Sequence, residues 1–319
     1  MNDRNREHGR ARRLLRHAGI GALAASMLAA PALLGCDTTR LAARTTAKVF
    51  DRGAPAFEEF YDYETAGTAA QATIMQLEAL LRADPGNEIM LEQLVRAYIS
   101  YSYGWVEDEM EEKELTGDEV GADRARRRAR SMYRRAFSLA KHWIAKDHDG
   151  LDDAVAGGLE QFEPWLRREF DDRDDAGLLF WAGYAWGSMI NVSRDDMAAV
   201  ADLGFAKAMI ARSVALDPTY YHSAGVLFLG VATAQELGAD LDQAQRYFEQ
   251  ALTQTERKNL LVQANMANTY AVMRQDRGLY LRLLAEVLEA QDPLPEARPG
   301  VKTARRRAER YIRQVDQRF

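Results

Sequence analysis

A thirteen-residue run without a formal charge, from Leu178 to Ile190, lies in the middle of the chain. Within it, Ala182, Ala185 and Met189 continue from Leu178 at the spacing of one helix face. The opposite face is equally apolar, so the run predicts a helix that is surrounded by other helices. It is too short to cross a bilayer, which takes about 20 residues. We therefore expect this helix at the centre of the protein.

Amphipathic patterns separated by polar breaks fill most of the chain after residue 56. The stretch Phe205–Leu216 has a helical apolar stripe and ends at Asp217-Pro218. Similar Asp-Pro steps recur at Pro85 and Pro293, and the 133 residues from Pro85 to Pro218 approach four helix pairs of about 34 residues. These patterns predict an all-α fold, an α-solenoid of degenerate tetratricopeptide-like helical hairpins. The predicted helices are Ala66–Arg82, Asn87–Glu112, Asp118–Ala145, Leu159–Phe170, Leu178–Ile190, Phe205–Leu216, Tyr220–Leu237, Asp240–Gln254, Asn259–Arg274, Arg277–Ala290 and Val301–Arg318.

The N-terminal region has the layout of a bacterial secretory signal. Residues 1–17 contain six arginines and two acids, and residues 18–35 form an uncharged run of small and apolar side chains. The run ends in Leu33-Leu34-Gly35-Cys36, which resembles a lipobox, and Cys36 is the only cysteine of the chain. We expect Cys36 to be the lipidated first residue of the mature protein. The alternative is an uncleaved membrane anchor in which the cysteine has no role.

This interpretation divides the chain into a signal peptide (1–35), a polar tether (36–55) and a single helical-repeat domain (56–319). Several acyl chains on Cys36 would anchor the protein stably, since each buried methylene contributes about 0.8 kcal/mol. The expected location is periplasmic and membrane-anchored. Asp37, directly after the lipidated residue, favours retention at the inner membrane.

The charge of the chain argues against a nucleic-acid partner. Removing residues 1–35 takes away six arginines and two acids, which changes the net charge from −6 to −10. An acidic run at 107–114 precedes a basic run at 124–130. We expect the two runs to pair across an antiparallel helical hairpin, because exposed ion pairs need no partner molecule. The alternative is a basic patch that binds an anionic partner.

No catalytic or metal-binding pattern is visible in the sequence. His142, His148 and His222 are too dispersed for a zinc site, and no thiol of the domain could join them. Phosphate-binding glycine loops and nucleophile motifs are also missing from the sequence. We therefore expect neither an enzyme nor a metal or other cofactor, apart from the lipid on Cys36.

Four groups of residues occur in an order and spacing that resemble one family. They are Glu78–Pro85 leading into Ala97–Tyr103, Arg124–Ala136, Phe180–Gly187 followed by Ala215–Pro218, and Ala271–Arg277. The chain resembles the TatT family, the tetratricopeptide-like lipoproteins associated with tripartite ATP-independent periplasmic (TRAP) transporters. The resemblance implies a helical periplasmic protein that assembles as a homotrimer and has a pore or cavity in each protomer. It also implies a partner, the solute-binding subunit of the transporter, and an apolar or organic-acid ligand.

The sequence departs from the family pattern after Pro218. His222 is followed by Ser223-Ala224-Gly225 where other members have His-Glu, and Ala234–Leu237 contains no proline where they have Pro-Gly. The family's cavity shape and trimer contacts therefore do not carry over to this chain where they depend on this segment.

Aromatic residues are the candidates for a ligand site. One interpretation places them around a cavity for an apolar or amphiphilic ligand, and the other places them in an ordinary core. The function expected from the first is an accessory role in TRAP transport, and the alternative is a ligand-free scaffold for cell-envelope complexes. The candidate residues are Tyr98, Tyr101, Trp105, Trp181, Trp186, Tyr221 and His222.

Overall fold

The structure, a computed structural model, describes residues 38–319, and every regular element within them is helical. The all-α prediction is therefore confirmed. Cys36, Asp37 and the predicted signal peptide lie outside the described residues. The helices are α1 (38–58), α2 (Tyr63–Ala83), α3 (Glu88–Tyr101), α4 (Glu107–Thr116), α5 (Glu119–Ile144), α6 (Leu151–Ala156), α7 (Leu159–Glu169), α8 (Asp175–Asn191), α9 (Met197–Ala201), α10 (Leu203–Leu216), α11 (Tyr220–Gln235), α12 (Leu241–Gln254), α13 (Leu260–Met266), α14 (Arg277–Glu289), α15 (Arg298–Arg313) and α16 (Val315–Arg318).

Side-chain caps fix where many of these helices begin. Asp118 and Asp240 each accept a hydrogen bond from the backbone N–H three residues later, at 2.9 and 2.8 Å. Asn87 caps α3 in the same way, with Met90 N at 3.1 Å. Such caps satisfy backbone donors that have no partner within the helix. The helix starts therefore follow closely from the sequence.

Arginine side chains bind the aspartates of the three Asp-Pro steps. Asp84 and Asp217 end α2 and α10 in extended backbone, which is the conformation that a following proline imposes. Arg173 pairs with Asp217 at 2.8 Å, and Arg298 pairs with Asp292 at 2.7 Å. The same step that ends a helix thus also ties it to another part of the chain.

The helix predicted at Leu178–Ile190 is α8, and it lies at the centre of the first half of the protein. It is apolar all round, and its two tryptophans, Trp181 and Trp186, are only 2% and 4% exposed although they are its largest side chains. α8 packs against α3, α5 and α10. Among residues 38–319, no helix is both long and apolar enough to span a membrane.

The close packing of α8 and α10 depends on Gly183. A Cβ added there would lie 3.0 Å from side-chain atoms of Ile210 and Met209 and 3.1 Å from the carbonyl oxygen of Ala206. Because one of these neighbours is backbone, the helices would have to separate to accept a side chain. The approach holds the aromatic face of α8 in a fixed position relative to α10 and α11.

The stack of helical hairpins curls back on itself, because α15 contacts α2 and α4 near the start of the chain. Arg310, which is 1% exposed, donates to Asp108 and Glu111, both at 2.9 Å. Arg306 and Arg313 add pairs to Asp108 at 2.8 Å and to Glu112 at 2.7 Å. An arginine-rich last long helix thus closes the stack around its interior.

This closure corrects the expected pairing of the acidic and basic runs. Glu114 does pair with Arg126 across the hairpin of α4 and α5, at 2.5 Å. The acids at 107, 108, 111 and 112 lie instead against the arginines of α15. These contacts join residues about 200 positions apart, so the nearness of the two runs in the sequence gave no sign of them.

Helical packing also begins earlier than expected. Residues 38–55, which we assigned to a tether, belong to α1, where Ala43 and Ala47 are 3% and 1% exposed. Arg40 and Arg44 bind Asp84 at 2.5 and 2.8 Å. The described part of the tether is therefore a helix packed on α2 and α3 rather than a free connector.

Candidate functional site: a cavity between two cores

Two clusters of buried side chains meet around an internal cavity of about 920 Å³. The first cluster is formed mainly by α1–α10, and the second by α11–α15. Both contribute to the cavity lining, together with α1 along one side. Ligand sites for small molecules have volumes of about 300–1,000 Å³, so this cavity is large enough for one.

One side of the cavity is an aromatic wall, formed by Phe180, Trp181 and Tyr184 of α8 with Tyr221 and Phe228 of α11. Trp181 and Tyr221 meet edge to face with ring centroids 4.8 Å apart, and Tyr184 and Phe228 are 5.7 Å apart. Such edge-to-face contacts are the preferred geometry of aromatic pairs. The rings form a continuous apolar surface facing the interior.

The polar tips of this wall are neutral or already hydrogen bonded. Trp181 Nε1 donates to Tyr220 Oη at 2.9 Å. Burial, with a smaller contribution from Glu58, raises the pKa of Tyr221 to about 12, so its phenol stays protonated at neutral pH. The wall therefore offers apolar contact to a ligand and no charge of its own.

A left-handed turn places Tyr221 and His222 at this wall. Tyr221, His222 and Ser223 have φ values of 47°, 56° and 59°, although none of them is glycine. Each left-handed residue costs roughly 1–2 kcal/mol. Asn259 Nδ2 donates to the carbonyl oxygen of His222 at 2.9 Å and helps to hold the turn. The strain lies at the cavity and in the segment where the sequence departs from the family pattern.

Two π-helical turns, Ser102–Val106 and Ala267–Ala271, border the cavity from opposite halves of the chain. Asn265 Nδ2, just before the second turn, donates to Tyr103 Oη in the first at 3.1 Å. π-turns inside α-helices are frequent at functional sites because they redirect side chains. Here they turn Tyr103 and Trp105 towards the cavity.

Trp105 reaches its place at the cavity through a close approach to Gly67. A Cβ at position 67 would lie 2.4 Å from the Nε1 atom of Trp105. That Nε1 donates to the carbonyl oxygen of Tyr63 at 3.1 Å, and the Tyr63 ring stacks on the indole at 4.9 Å. On its other side Phe57 of α1 is 6.3 Å away. Trp105 thus connects α1, α2 and the cavity wall.

Another part of the lining is a charged wall, formed by Glu107, Glu111 and Arg307. Arg307 is 3% exposed, and its guanidinium carbon lies 4.0 Å from the ring centroid of Tyr103. Its nitrogens lie 3.4 Å from Glu111 and 3.8 Å from Glu107. A buried cation needs such fixed carboxylates, because its desolvation is costly.

Glu107 is the most perturbed acid of the charged wall. Burial raises its pKa to about 7, while the positive charge of Arg307 and a hydrogen bond donated by the Tyr133 hydroxyl partly oppose the rise. The carboxyl group is 6% exposed. It can therefore exchange a proton near neutral pH.

A second arginine, Arg96 of α3, lies beside the aromatic wall. Its guanidinium carbon is 5.5 Å from the Trp181 ring centroid and 5.8 Å from that of Tyr221. Nη2 donates to Glu58 Oε1 at 2.6 Å, and Nη1 lies 3.4 Å from Glu92 Oε1. Glu58 is the last residue of α1. The cavity therefore contains one cation whose nearest carboxylate comes from a peripheral helix.

Four of the seven candidate residues from the sequence line the cavity: Trp105, Trp181, Tyr221 and His222. The other three do not. Tyr98 donates to Glu78 at 3.0 Å on another face of α3, and Tyr101 accepts from Arg128 at 3.0 Å. Trp186 is stacked between Phe137 at 4.6 Å and Phe205 at 5.6 Å, inside the first core.

Sequence reasoning missed the three arginines that line the cavity in the described part of the chain, Arg96, Arg194 and Arg307, and most of α1. Arg96 shares its face of α3 with Glu92, Gln93 and Ser100, so its charge did not stand out in the sequence. No signal in the sequence marked Arg307 either, since it is one of three consecutive arginines from 305 to 307. Among the described residues, no group of three or more His, Cys, Asp and Glu is arranged to hold a metal ion.

The sequence from residue 60 to residue 319 matches the family model of the TRAP transporter T-component. This is more than half of the chain, so the protein belongs to that family, and the resemblance found in the sequence is confirmed. No curated protein shows a significant match. The match begins after α1, which ends at residue 58, and includes the aromatic wall, the charged wall and Arg96.

Proposed function

We propose that this T-component holds an apolar or organic-acid ligand in the cavity and exchanges it with the solute-binding subunit of a TRAP transporter. Membership of the family establishes an accessory role in TRAP transport. The observation that carries the finer proposal is the aromatic wall beside a cavity of about 920 Å³. In this role the protein binds and transfers a molecule without changing it chemically.

Exposed apolar side chains at the cavity lining support docking of the solute-binding subunit. Val49 and Met197 both line the cavity, and they are 66% and 75% exposed. The cavity therefore reaches the surface at these residues. A partner that covers them gains apolar contact and faces an opening through which a ligand can pass.

The proposed location is periplasmic, with a lipid on Cys36 as the membrane anchor. A component of a TRAP transporter acts at the cell envelope, and the signal-like residues 1–35 precede the only cysteine. The processed chain (residues 36–319) would carry its anchor two residues before the first residue that the structure describes. We include in the proposal the homotrimer that the family resemblance implies, which native mass measurement of the processed chain tests directly.

Native mass spectrometry with two matched tryptophan variants tests ligand binding. Trp181 and Trp186 lie in the same helix and are 2% and 4% exposed, but only Trp181 lines the cavity. We expect a co-purified small molecule on the processed wild-type chain, retained in Trp186→Ala and lost in Trp181→Ala. Loss in both variants, or in neither, would contradict the assignment of the ligand to this cavity.

Association with the solute-binding subunit is tested separately. We expect the subunit encoded with the permease to bind the processed chain at micromolar concentration. Replacing Met197 with Glu should weaken this binding at least about tenfold, because a charge would be desolvated at the contact. If neither a ligand nor the receptor binds, the ligand-free scaffold is the better description.

A further inference from the structure

Arg96 is placed to bind an anion at the edge of the aromatic wall. Its guanidinium carbon lies 5.5 Å from the Trp181 ring centroid and 5.8 Å from that of Tyr221, so it is a cation next to both rings. Its side chain is 23% exposed, so it is reached from the cavity without breaking the core. An arginine fork can bind a carboxylate through two parallel hydrogen bonds. The surroundings thus combine one cation with a large apolar surface.

The carboxylate that now occupies Arg96 belongs to α1. Glu58 Oε1 accepts from Arg96 Nη2 at 2.6 Å, and Glu58 is 30% exposed. It is the last residue of α1, and residues 59–62 connect it to α2. When a helix shifts, a charged group at its end can separate from its partner, and water then solvates both charges.

α1 itself is held to the rest of the protein by few buried groups. The described contacts include two small side chains, Ala43 and Ala47, and the pairs of Arg40 and Arg44 with Asp84. Phe50 and Phe57 of α1 are partly buried against the first core and also line the cavity, and Gln93 Nε2 donates to Asp51 at 3.1 Å. α1 also lies outside the region that matches the family model. α1 therefore covers the cavity. It does not belong to the frame, by which we mean the helices that the ion pairs between α4 and α15 hold together.

Arg307, which lines the cavity beside Tyr103, does not offer the same exchange. Its carboxylates are on α4, which the whole set of α15 arginines holds in place. Displacing Glu107 or Glu111 would leave a buried charge without a partner, which typically costs several kcal/mol in proteins. Of Arg96 and Arg307, Arg96 is the one whose carboxylate partner can leave while the ion pairs between α4 and α15 stay intact.

We propose that Arg96 binds the carboxylate of an amphiphilic acid, and that Glu58 of α1 occupies this position when the acid is absent. The apolar part of the acid lies along the aromatic wall, and α1 moves as Glu58 is displaced. This inference rests on the proposed function and specifies the ligand as a monocarboxylate with an apolar body. Binding exchanges one carboxylate for another, so the net charge around Arg96 is conserved.

Calorimetric titration with decanoate and decanol tests the exchange on the processed chain. Glu58→Gln keeps the size of the side chain but removes the competing charge, so decanoate should bind about tenfold more tightly. Decanol, which has no charge, should bind the variant and the wild type equally. Arg96→Gln should lose the preference for decanoate over decanol. Glu114→Gln, the same change in a pair outside the cavity, should behave as the wild type.

The outcomes separate this inference from the proposed function. If decanol or decanoate binds but Glu58→Gln does not change the affinity for decanoate, the exchange at Arg96 is wrong and the ligand cavity stands. If Arg96→Gln keeps its preference for decanoate, the carboxylate binds elsewhere. If neither compound binds any of the proteins, both the ligand cavity and the exchange are wrong.

Amide hydrogen exchange adds a readout for the movement of α1. Decanoate should increase exchange in residues 49–58, and decanol should not. Unchanged exchange in this segment at saturating decanoate would overturn the displacement of α1.

Discussion

Arg96 and Arg307, two of the three arginines that line the cavity among the described residues, have the same chemistry but different surroundings. Arg307 is 3% exposed and lies 4.0 Å from the ring of Tyr103. The Arg96 side chain is 23% exposed and lies 5.5 Å from the ring of Trp181. Both gain from the aromatic face beneath them. They differ in the helices that carry their carboxylates, since Glu107 and Glu111 are on α4, whereas Glu58 ends α1.

This difference shows how one cavity can combine a fixed and an exchangeable side. A buried cation with carboxylates from a fixed helix is part of the frame, because separating them leaves uncompensated charges in the interior. A half-buried cation whose partner comes from a peripheral helix costs little to separate, because water replaces the lost contact. The charged wall therefore closes the stack, and the Arg96 side is the one that can open.

The largest expected effect is that of removing Arg307. Arg307→Met should lower the free energy of unfolding by about 3–5 kcal/mol, because Glu107 would remain buried without a cation and Glu111 would keep only Arg310. Urea denaturation followed by circular dichroism measures it. Arg313→Met is the matched control, since Arg313 is half exposed and pairs with Glu112, and it should cost at most about 1 kcal/mol. If the two variants lose the same free energy of unfolding, the charged wall does not hold α4 and α15 together.

The next largest effect is a pH dependence of the free energy of unfolding, which a buried acid of the charged wall causes and a solvent-exposed acid does not. Burial raises the pKa of Glu107 to about 7 from a model-peptide value of 4.5. The native state therefore keeps a proton that the unfolded chain loses, and stability falls as the pH rises between these values. From pH 5 to pH 8 the wild type should lose about 2 kcal/mol relative to Glu107→Gln.

Urea denaturation of both proteins at the two pH values measures this difference. If the stability gap between Glu107→Gln and the wild type is the same at pH 5 and pH 8, Glu107 is ionised throughout and the charged wall is open to water.

The frame was the more predictable part of this molecule. α8 follows from its uncharged run, because a helix that is apolar on every face has only one place in a folded chain. The caps at Asn87, Asp118 and Asp240 set helix starts through local hydrogen bonds. Such features depend on residues close together in the sequence, so a reader of the sequence can find them.

The exchangeable side was harder to predict. Tyr98, Tyr101 and Trp105 share one face of a regular helix, but the π-turn at Ser102–Val106 rotates Trp105 to the cavity and leaves the tyrosines outside it. The left-handed turn at 221–223 contains no glycine that would have announced it. α1 did leave a signal, because Ala43, Ala47, Phe50, Ala54 and Phe57 continue one helical stripe. Its many charged residues masked that stripe.

A smaller effect is expected when Arg96 is removed. Arg96→Met should change the free energy of unfolding by at most about 1 kcal/mol, because Glu58 and Glu92 are partly exposed and water can solvate both. The same urea denaturation measures it beside Arg307→Met. A loss as large as that of Arg307→Met would make Arg96 part of the frame and remove the contrast between the two arginines.

The smallest effect on overall stability should come from loosening α1. Burial alone would raise the pKa of Asp84, but hydrogen bonds from Arg44, Arg40 and Asn87 lower it to about 2, which shows how strongly the first turns of α1 are held there. Replacing both Arg40 and Arg44 with Gln should increase amide exchange in residues 38–58 by about tenfold, because α1 opens locally.

Overall unfolding should change by less than about 1 kcal/mol in this double variant, because opening α1 exposes Asp84 to water, which then replaces the two arginines. Lys48→Gln removes a positive charge from an exposed position of α1 and serves as the control, with exchange equal to the wild type. If the double variant unfolds as a whole rather than in α1 alone, α1 belongs to the same cooperative unit as the charged wall. The cavity would then have two fixed sides, and a ligand could enter only by another route.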